Sequence, residues 1–229
     1  MADTSSLHTA ESHDISRRTL NQEFDREKVE LIESVPVAEP LRIAVPTHDM
    51  RAVIHTTLEL AEVSHLLNRP IQFLVAEASN IPRGRNTIIQ QLRAAMPEKT
   101  QAWILWVDSD IWIPEGTAPL IVDAIRWAET HQAGIVANYK MANGESVLMT
   151  SREPHLNRHY TAEEVLGLPD YTEIGMAGLG FAYLPQPLDY QFHADALGED
   201  IHFWWDYPDL HIYFAKRIHL GHKKIVMLT

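Results

Sequence analysis

The sequence contains no cysteine among its 229 residues. Disulfide frameworks, thiolate zinc sites and cysteine nucleophiles are therefore excluded together. No apolar run approaches the roughly 18 residues that would span a membrane, and the polar N-terminus lacks the apolar stretch of a secretory signal. These absences predict a soluble protein of the cytoplasm.

Positive charge is also scarce in this chain. Lys and Arg number 19 against 31 Asp and Glu, which gives a formal net charge of −12. An acidic balance argues against a protein that binds nucleic acid through its overall charge, although a local basic patch would still be compatible with it. The hydrophobic share of 45% is ordinary for a globular protein, and the length suits one domain with a tail.

Two regions differ in their patterning. Residues 1–40 are polar and predict a mobile arm with a short helix near 20–33. From residue 41 onward, apolar runs that predict strands at 41–45, 71–75, 102–107 and 133–139 alternate with helical stretches. This alternation over short loops predicts right-handed crossovers and an α/β fold. We expect a single domain over 41–229, with a mainly parallel, Rossmann-type sheet flanked by helices.

The regular pattern loosens after the fourth predicted strand. Residues 140–229 contain scattered Gly and Pro and one helix that opens with the capping-box pair Thr161 and Glu164. We therefore expect residues 41–139 to form a half that binds nucleotide and metal. The remaining residues, 140–229, would form an irregular half that completes the same site.

An Asp-Ser-Asp triplet, Asp108 to Asp110, directly follows the third predicted strand. Ligands of an open parallel sheet bind beyond the carboxyl ends of its strands. Two carboxylates there repel each other and lose solvation unless a cation joins them. Mg²⁺ or Mn²⁺ shared with phosphate oxygens meets that need. The alternative is a helix cap beside a solvated turn residue, since this short pattern arises by chance about once in such a chain.

Two later motifs carry further candidate residues. Glu199-Asp200 precedes a turn and a predicted strand, and Gly221-His222 follows that strand. This order can return a carboxylate and a histidine to one pocket. Each has an ordinary alternative: Asp200 as a helix N-cap, and His222 as a surface histidine. His219 is a second candidate for the histidine's role.

Taken in order, these residues resemble the metal-dependent nucleotide-sugar glycosyltransferases of GT-A fold. The similarity covers roughly Leu41 to Val226. The motifs that carry it are Pro46-Thr47 after the first strand, Arg83 to Asn86, the Asp-Ser-Asp triplet, the glycine-rich Gly178 to Phe181, Gly198 to Asp200, and Gly221-His222.

The resemblance implies a role for each matched residue. Asp110 and His222 would be direct ligands of Mn²⁺ or Mg²⁺, and Asp108 would be shared between ribose and metal. Asp200, beside Glu199, would be the base that deprotonates the acceptor in an inverting enzyme, whereas a retaining enzyme would not need it. Residues expected to bind the nucleotide sugar are Pro46, Thr47, His48, Arg83, Arg85, Asn86, Asp108 and Ser109, with Asn86 also a candidate structural clamp. Residues expected on the acceptor side are Gly180, Trp204 and Trp205.

The resulting prediction is a hexosyltransferase that uses a UDP-sugar, or next a GDP-sugar, as donor. Its acceptor hydroxyl would belong to a glycan, a protein or a modified base. One alternative is a catalytically degenerate module that only binds nucleotide sugars. Another is a sugar nucleotidyltransferase, but that class needs a glycine-rich loop where this chain reads PTHDMR. Several basic residues are either solvated surface or a rim for an anionic acceptor: Lys140, Arg152, Arg158 and Lys223-Lys224.

Overall fold

The apolar runs of the sequence become the strands of a central sheet. The computed structural model describes residues 39–47, 54–141, 144–194 and 198–222. Almost all of the predicted N-terminal arm, together with His48 and Lys223-Lys224, lies outside these residues. In chain order the elements are β1 (Leu41–Thr47), α1 (Ile54–Leu67), β2 (Ile71–Glu77), α2 (Ile81–Ala95), β3 (Gln101–Val107), β4 (Ile111–Trp112), α3 (Ala118–His131), β5 (Gly134–Asn138), β6 (Leu148–Met149), α4 (Ala162–Gly167), β7 (Thr172–Glu173), β8 (Met176–Ala177), β9 (Phe181–Pro187), α5 (Glu199–Asp206), β10 (Ile212–His219) and β11 (Gly221–His222).

The described strands of the main sheet lie in the order β2-β1-β3-β9-β5-β10-β7. β1 runs parallel to both β2 and β3, and β5 runs parallel to β10. β9 and β7 are antiparallel to their neighbours. The four predicted strands are all present, and α2 and α3 pack against the sheet. The prediction of an α/β fold with a mainly parallel sheet is confirmed.

The central position of β9 is the main difference from the expected arrangement. The sequence pattern left residues 175–185 without an assigned strand, yet β9 lies between β3 and β5 and pairs with β3 over its whole length. Because the two strands are antiparallel, the start of β9 at Phe181 lies opposite the end of β3 at Val107. The glycine-rich turn before β9 is therefore held at the carboxyl edge of the sheet, next to Asp108. The backbone N–H of Asp108 donates to the carbonyl of Gly180 at 2.9 Å.

The start of α2 is fixed by its sequence. The side chain of Asn80 accepts a hydrogen bond from the backbone N–H of Arg83 at 2.9 Å, which caps the helix. Gly84 lets the first turn approach the sheet, because a Cβ added there would lie 3.2 Å from the Cβ of Pro46 and 3.3 Å from the carbonyl of Ala76. This close approach inserts the next residue, Arg85, into the interior.

A second, two-stranded sheet forms beside the Asp-Ser-Asp triplet. β4 pairs antiparallel with β11, so that His222 lies opposite Ile111. The hydroxyl of Thr56 on α1 donates to the carbonyl of Ile111 at 2.7 Å and accepts from the backbone N–H of Ile113 at 3.2 Å. The segment that follows Asp110 is thus anchored from two sides.

The capping box of Thr161 and Glu164 opens α4, as the sequence predicts. Within the described ranges, no helix is both long enough and apolar enough to cross a membrane.

Candidate functional site

Arg85 occupies the centre of the candidate site although it is a charged residue. Only 1% of it is exposed to solvent. Its guanidinium lies over the rings of Trp106 and Phe192, at 5.3 and 5.6 Å from their centroids. The positive charge is buried against aromatic faces, and carboxylates close the rest of the shell.

Three carboxylates from two regions of the chain surround this guanidinium. Asp108 Oδ1 lies 3.2 Å from Arg85 Nη2. Glu199 Oε1 lies 3.7 Å from Arg85 Nε, and Asp200 Oδ1 lies 3.8 Å from Nη2. One positive charge therefore faces three negative ones, and the cluster keeps an excess of negative charge that a bound cation would offset.

The electrostatic consequence is strongest at Asp200. Burial raises the pKa of Asp200 to about 7, against the lowering effect of Arg85 and with a further rise from Glu199. Burial also raises the pKa of Asp108, which Arg85 lowers and Asp110 raises. Both carboxyls are therefore harder to ionise than exposed ones.

The hydrogen bonds of Asp200 show that it does not cap α5. The N-cap position belongs to Gly198. Asp200 Oδ2 instead accepts the backbone N–H of Leu179, in the glycine-rich turn, at 3.0 Å. Its other oxygen, Oδ1, is buried without a hydrogen-bond partner among the described residues. This leaves one oxygen held in place and one able to accept a proton.

Asp110 and His222 form a direct pair at the other side of the cluster. His222 Nε2 lies 2.8 Å from Asp110 Oδ2, and His222 Nδ1 lies 3.1 Å from the carbonyl of Lys140. Each ring nitrogen of His222 therefore faces one oxygen atom, that of the Lys140 carbonyl or that of the Asp110 carboxylate. The other candidate histidine, His219, lies at the end of β10 opposite Asn138. The geometry thus places His222, not His219, against the Asp-Ser-Asp triplet.

Tyr139, at the end of the fourth predicted strand, also lies at the site, although the sequence predicts no particular role for it. Its hydroxyl accepts the backbone N–H of Gly180 at 3.1 Å. A Cβ added to Gly180 would lie 2.3 Å from that hydroxyl, and one added to Gly178 would lie 2.8 Å from it. The tyrosine therefore requires glycine at position 180, whereas at Gly178 the side chain of Val147, 2.3 Å from an added Cβ, is a nearer obstacle. The signal for Tyr139 was its position directly after a buried strand, which it shares with Asp108.

A cavity of about 370 Å³ opens beside these groups. Its polar wall contains Asp108, Ser109, Asp110, Asp200 and His222, and Gly178 and Tyr139 also line it. The sheet topology thus brings together residues from both predicted halves of the domain.

Several residues expected to bind the donor have other contacts. Arg83 is exposed at the start of α2. The side-chain N–H of Asn86 donates to the carbonyl of Phe192 at 2.9 Å, and the side-chain oxygen of Asn86 accepts the backbone N–H of Phe192 at 2.7 Å. Asn86 therefore acts as a clamp. Thr47 is buried at the end of β1, where Pro46 approaches Gly84. Arg85 itself is too deeply buried to be an ordinary surface contact for a phosphate.

The two tryptophans expected on the acceptor side also have structural contacts. Trp204 is 0% exposed, and its Nε1 donates to the carbonyl of Ala177 at 2.6 Å. Its ring therefore presents no exposed face to a sugar. Trp205 is partly exposed, and its Nε1 donates to the carbonyl of Arg152 at 2.8 Å.

Two of the basic residues considered as a rim are occupied elsewhere. The guanidinium of Arg152 donates to backbone carbonyls on both sides of α5, among them those of Gly175 and Tyr207, each at 2.9 Å. Arg158 pairs with Glu164 through two hydrogen bonds, one of them at 2.8 Å. Lys140, by contrast, is among the residues that line a cavity.

Comparisons with known proteins identify no family. No protein-family model matches the chain, and no curated protein matches it. Among solved structures, one that is similar to this chain is the crystal structure of a glycosyltransferase involved in the glycosylation of the major capsid of PBCV-1. It is 12% identical with a TM-score of 0.42, over 83% of this chain and 96% of that one. The function is therefore argued from the site itself.

Proposed function

We propose that the chain is a glycosyltransferase that moves a sugar from a nucleoside diphosphate donor to an acceptor hydroxyl with the help of a divalent cation. The observation that carries this proposal is the excess of carboxylates around one buried guanidinium, beside a cavity at the carboxyl edge of a mainly parallel sheet. Ligands of such sheets bind at this edge. Donors in the order UDP-sugar, then GDP-sugar, are the first to test.

Asp110 and His222 are the residues that would hold the cation, with Asp108 next to them. Carboxylate oxygens suit Mg²⁺ and Mn²⁺, and imidazole is a common metal ligand. In the described part of the chain, no group of three or more His, Asp or Glu side chains is arranged to hold a metal ion. That fits a cation held by one or two protein groups and completed by substrate phosphates, as is usual for Mg²⁺. When bound, such a cation would neutralise the charge on the departing nucleoside diphosphate.

Asp200 is the proposed general base. A base works best when its pKa lies near the operating pH, and the pKa of Asp200 is raised to about 7 by burial. The acceptor oxygen would bond to the anomeric carbon of the donor, whose bond to the diphosphate oxygen breaks, and the acceptor proton would pass to Asp200. The backbone N–H of Leu179 holds the carboxylate in orientation. This role corresponds to an inverting reaction.

In this proposal Arg85 supports the carboxylates instead of contacting the donor. Because it is buried, it neutralises part of the charge of Asp108, Glu199 and Asp200 rather than contacting the donor as a surface residue. Glu199 would contribute to the reaction through its ion pair with Arg85. The buried guanidinium allows the three carboxylates to lie close together, because carboxylates buried without a counter-charge would repel each other.

The first experiment is a thermal-shift panel with UDP, GDP, CMP, ADP and dTDP, each with Mn²⁺ and with EDTA. A ligand that binds only the folded state at a hundredfold over its dissociation constant stabilises it by about 2.7 kcal/mol. We expect one nucleotide to raise the melting temperature only with Mn²⁺, and Asp110→Asn to lose that rise. The exposed Asp189 offers a matched control, since Asp189→Asn removes the same charge elsewhere.

The same samples separate an enzyme from a module that only binds. An active enzyme incubated with the corresponding nucleotide sugar and an acceptor releases free nucleoside diphosphate, whereas Asp200→Asn binds the donor and releases none. Metal-dependent binding without release by the natural chain would identify a degenerate module. If no nucleotide changes the melting temperature of a folded sample, the proposal of a donor site is contradicted.

A further inference from the structure

A second and larger cavity lies next to the carboxylate cavity. It measures about 720 Å³ and is enclosed by α4, by the far part of β10 and by the segment after β5. Tyr139, Met141 and His222 line both cavities. The two spaces therefore share one wall, which contains the proposed metal ligand His222.

The ionisable groups of this second cavity have the opposite sign from those of the first. Its described lining includes Lys140, Lys216, His219 and His222, and contains no Asp or Glu. This contrasts with a chain whose net charge is −12. The first cavity presents Asp108, Asp110 and Asp200 instead. The second cavity is thus a basic region in an acidic protein.

The basic groups retain the capacity to bind an anion. Lys216 Nζ donates to the carbonyl of Leu166 at 2.7 Å, which uses one of the three N–H groups of an ammonium. Lys140 and His219 are exposed. Lysine binds phosphate as a point charge that needs no fixed geometry. The two lysines match the charge of a phosphate monoester, and the imidazole of His219 is a further polar group that lines the same space.

The floor of the second cavity is apolar. Val165, Phe214 and Ile218 are buried residues that line it, and Leu220 lies beside them. At the rim, the apolar side chain of Leu166 is 72% exposed. A ligand with an apolar face next to its charged group would cover these residues.

We propose that this second cavity binds the acceptor, and that the acceptor carries a phosphate monoester beside an apolar face. The phosphate would lie among Lys140, Lys216 and His219, and the apolar face against Val165, Phe214 and Leu166. The shared wall at Tyr139 and His222 then places the body of the acceptor next to the donor cavity. The binding site stands on its own, whereas the role as acceptor rests on the proposed glycosyl transfer.

Calorimetric titration of the full chain with phenyl phosphate, in EDTA, tests the binding site. Benzyl alcohol is the neutral control ligand. We expect phenyl phosphate to bind at least about tenfold more tightly than benzyl alcohol, and Lys140→Gln and His219→Gln each to weaken it at least about fivefold. Arg93→Gln removes the same charge from an exposed site on α2 and should change nothing. Circular dichroism and the melting temperature verify that each variant folds.

The outcomes separate this inference from the proposed function. Equal binding of the two ligands, or equal weakening by Lys140→Gln and Arg93→Gln, would overturn the phosphate site. Asp110→Asn should leave phenyl phosphate binding unchanged, and binding lost in that variant would place the ligand in the donor cavity and overturn the proposal. Phenyl phosphate binding together with a failed nucleotide panel would overturn the acceptor role alone.

Discussion

His222 and Asp110 are 112 positions apart in the sequence, and their side chains meet at 2.8 Å between Nε2 and Oδ2. The contact follows from the backbone, because β11 pairs with the strand that directly follows Asp110. The carbonyl of Lys140 holds the opposite ring nitrogen. The imidazole is therefore oriented on both sides before any ligand binds.

This orientation leads to a prediction for the two histidines. His222→Ala should weaken Mn²⁺-dependent nucleotide binding at least about tenfold, since the loss of a ligand or of its support lowers metal affinity by about 10–100-fold. His219→Ala should leave that binding unchanged. Titration of both variants with nucleotide and Mn²⁺ checks this. A larger effect from His219 would assign the ligand role to that residue.

Arg85 gives the clearest prediction for stability. Arg85→Met leaves Asp108, Glu199 and Asp200 without their buried counter-charge, and breaking a buried ion pair in this way costs about 3–5 kcal/mol. Arg83→Met removes a like charge from the exposed face of the same helix and should change stability by at most about 0.5 kcal/mol. Urea unfolding of the two variants at neutral pH measures the difference. Similar losses of unfolding free energy in the two variants would show that the ion pairs of Arg85 do not stabilise the fold.

The pKa of Asp200 predicts a pH dependence of stability. In the folded protein it is raised from 3.8 to about 7, so the folded state holds this proton more tightly than the unfolded state does. The free energy of unfolding should therefore fall as the pH rises from about 4 to about 7, and this contribution should be constant above that range. Asp200→Asn should lose the slope. Unfolding curves across this range for both proteins provide the measurement, and equal slopes would contradict the raised pKa.

A substitution at Gly180 should have a steric effect in the glycine-rich turn before β9. A methyl group in Gly180→Ala would lie 2.3 Å from the hydroxyl of Tyr139, and overpacking of this kind costs about 1–3 kcal/mol. Gly167→Ala places its methyl group where nothing lies within 4 Å and should be tolerated. The double variant Tyr139→Ala with Gly180→Ala should lose less stability than the sum of the losses in the two single variants, because the new methyl group no longer meets the ring. Melting temperatures of the variants test this relationship.

The parts of the fold that the sequence predicts are those set by local patterns. β1, β3 and β5 are short apolar runs that end in polar residues, and the capping box of Thr161 opens α4 as expected. The triplet at Asp108 was found because it directly follows such a run. Local periodicity and end signals suffice for these elements.

The parts that escaped prediction depend on distant pairing. The segment of β9 is flanked by glycines and prolines, and its central place is set by its pairing with β3 and β5. A buried Arg85 is not predictable from its neighbours, because arginine is almost never buried unless it is paired and its partner Asp108 is 23 positions away. Trp204 was expected at a ligand site for the same reason, since no local signal distinguishes a core ring from an exposed one.

The insertion of β9 also determines when the site can form during folding. β3 and β5 are separated by β9 in the sheet, so a chain that has been synthesised only through β5 has no direct pairing between these two strands. Long-range pairing of this kind is a late and slow event. Asp200, on α5, and the strand that contains His222 come later still in the chain. The candidate site should therefore be complete only after nearly all of the described sequence has left the ribosome, so that ligand binding there would report on completed folding.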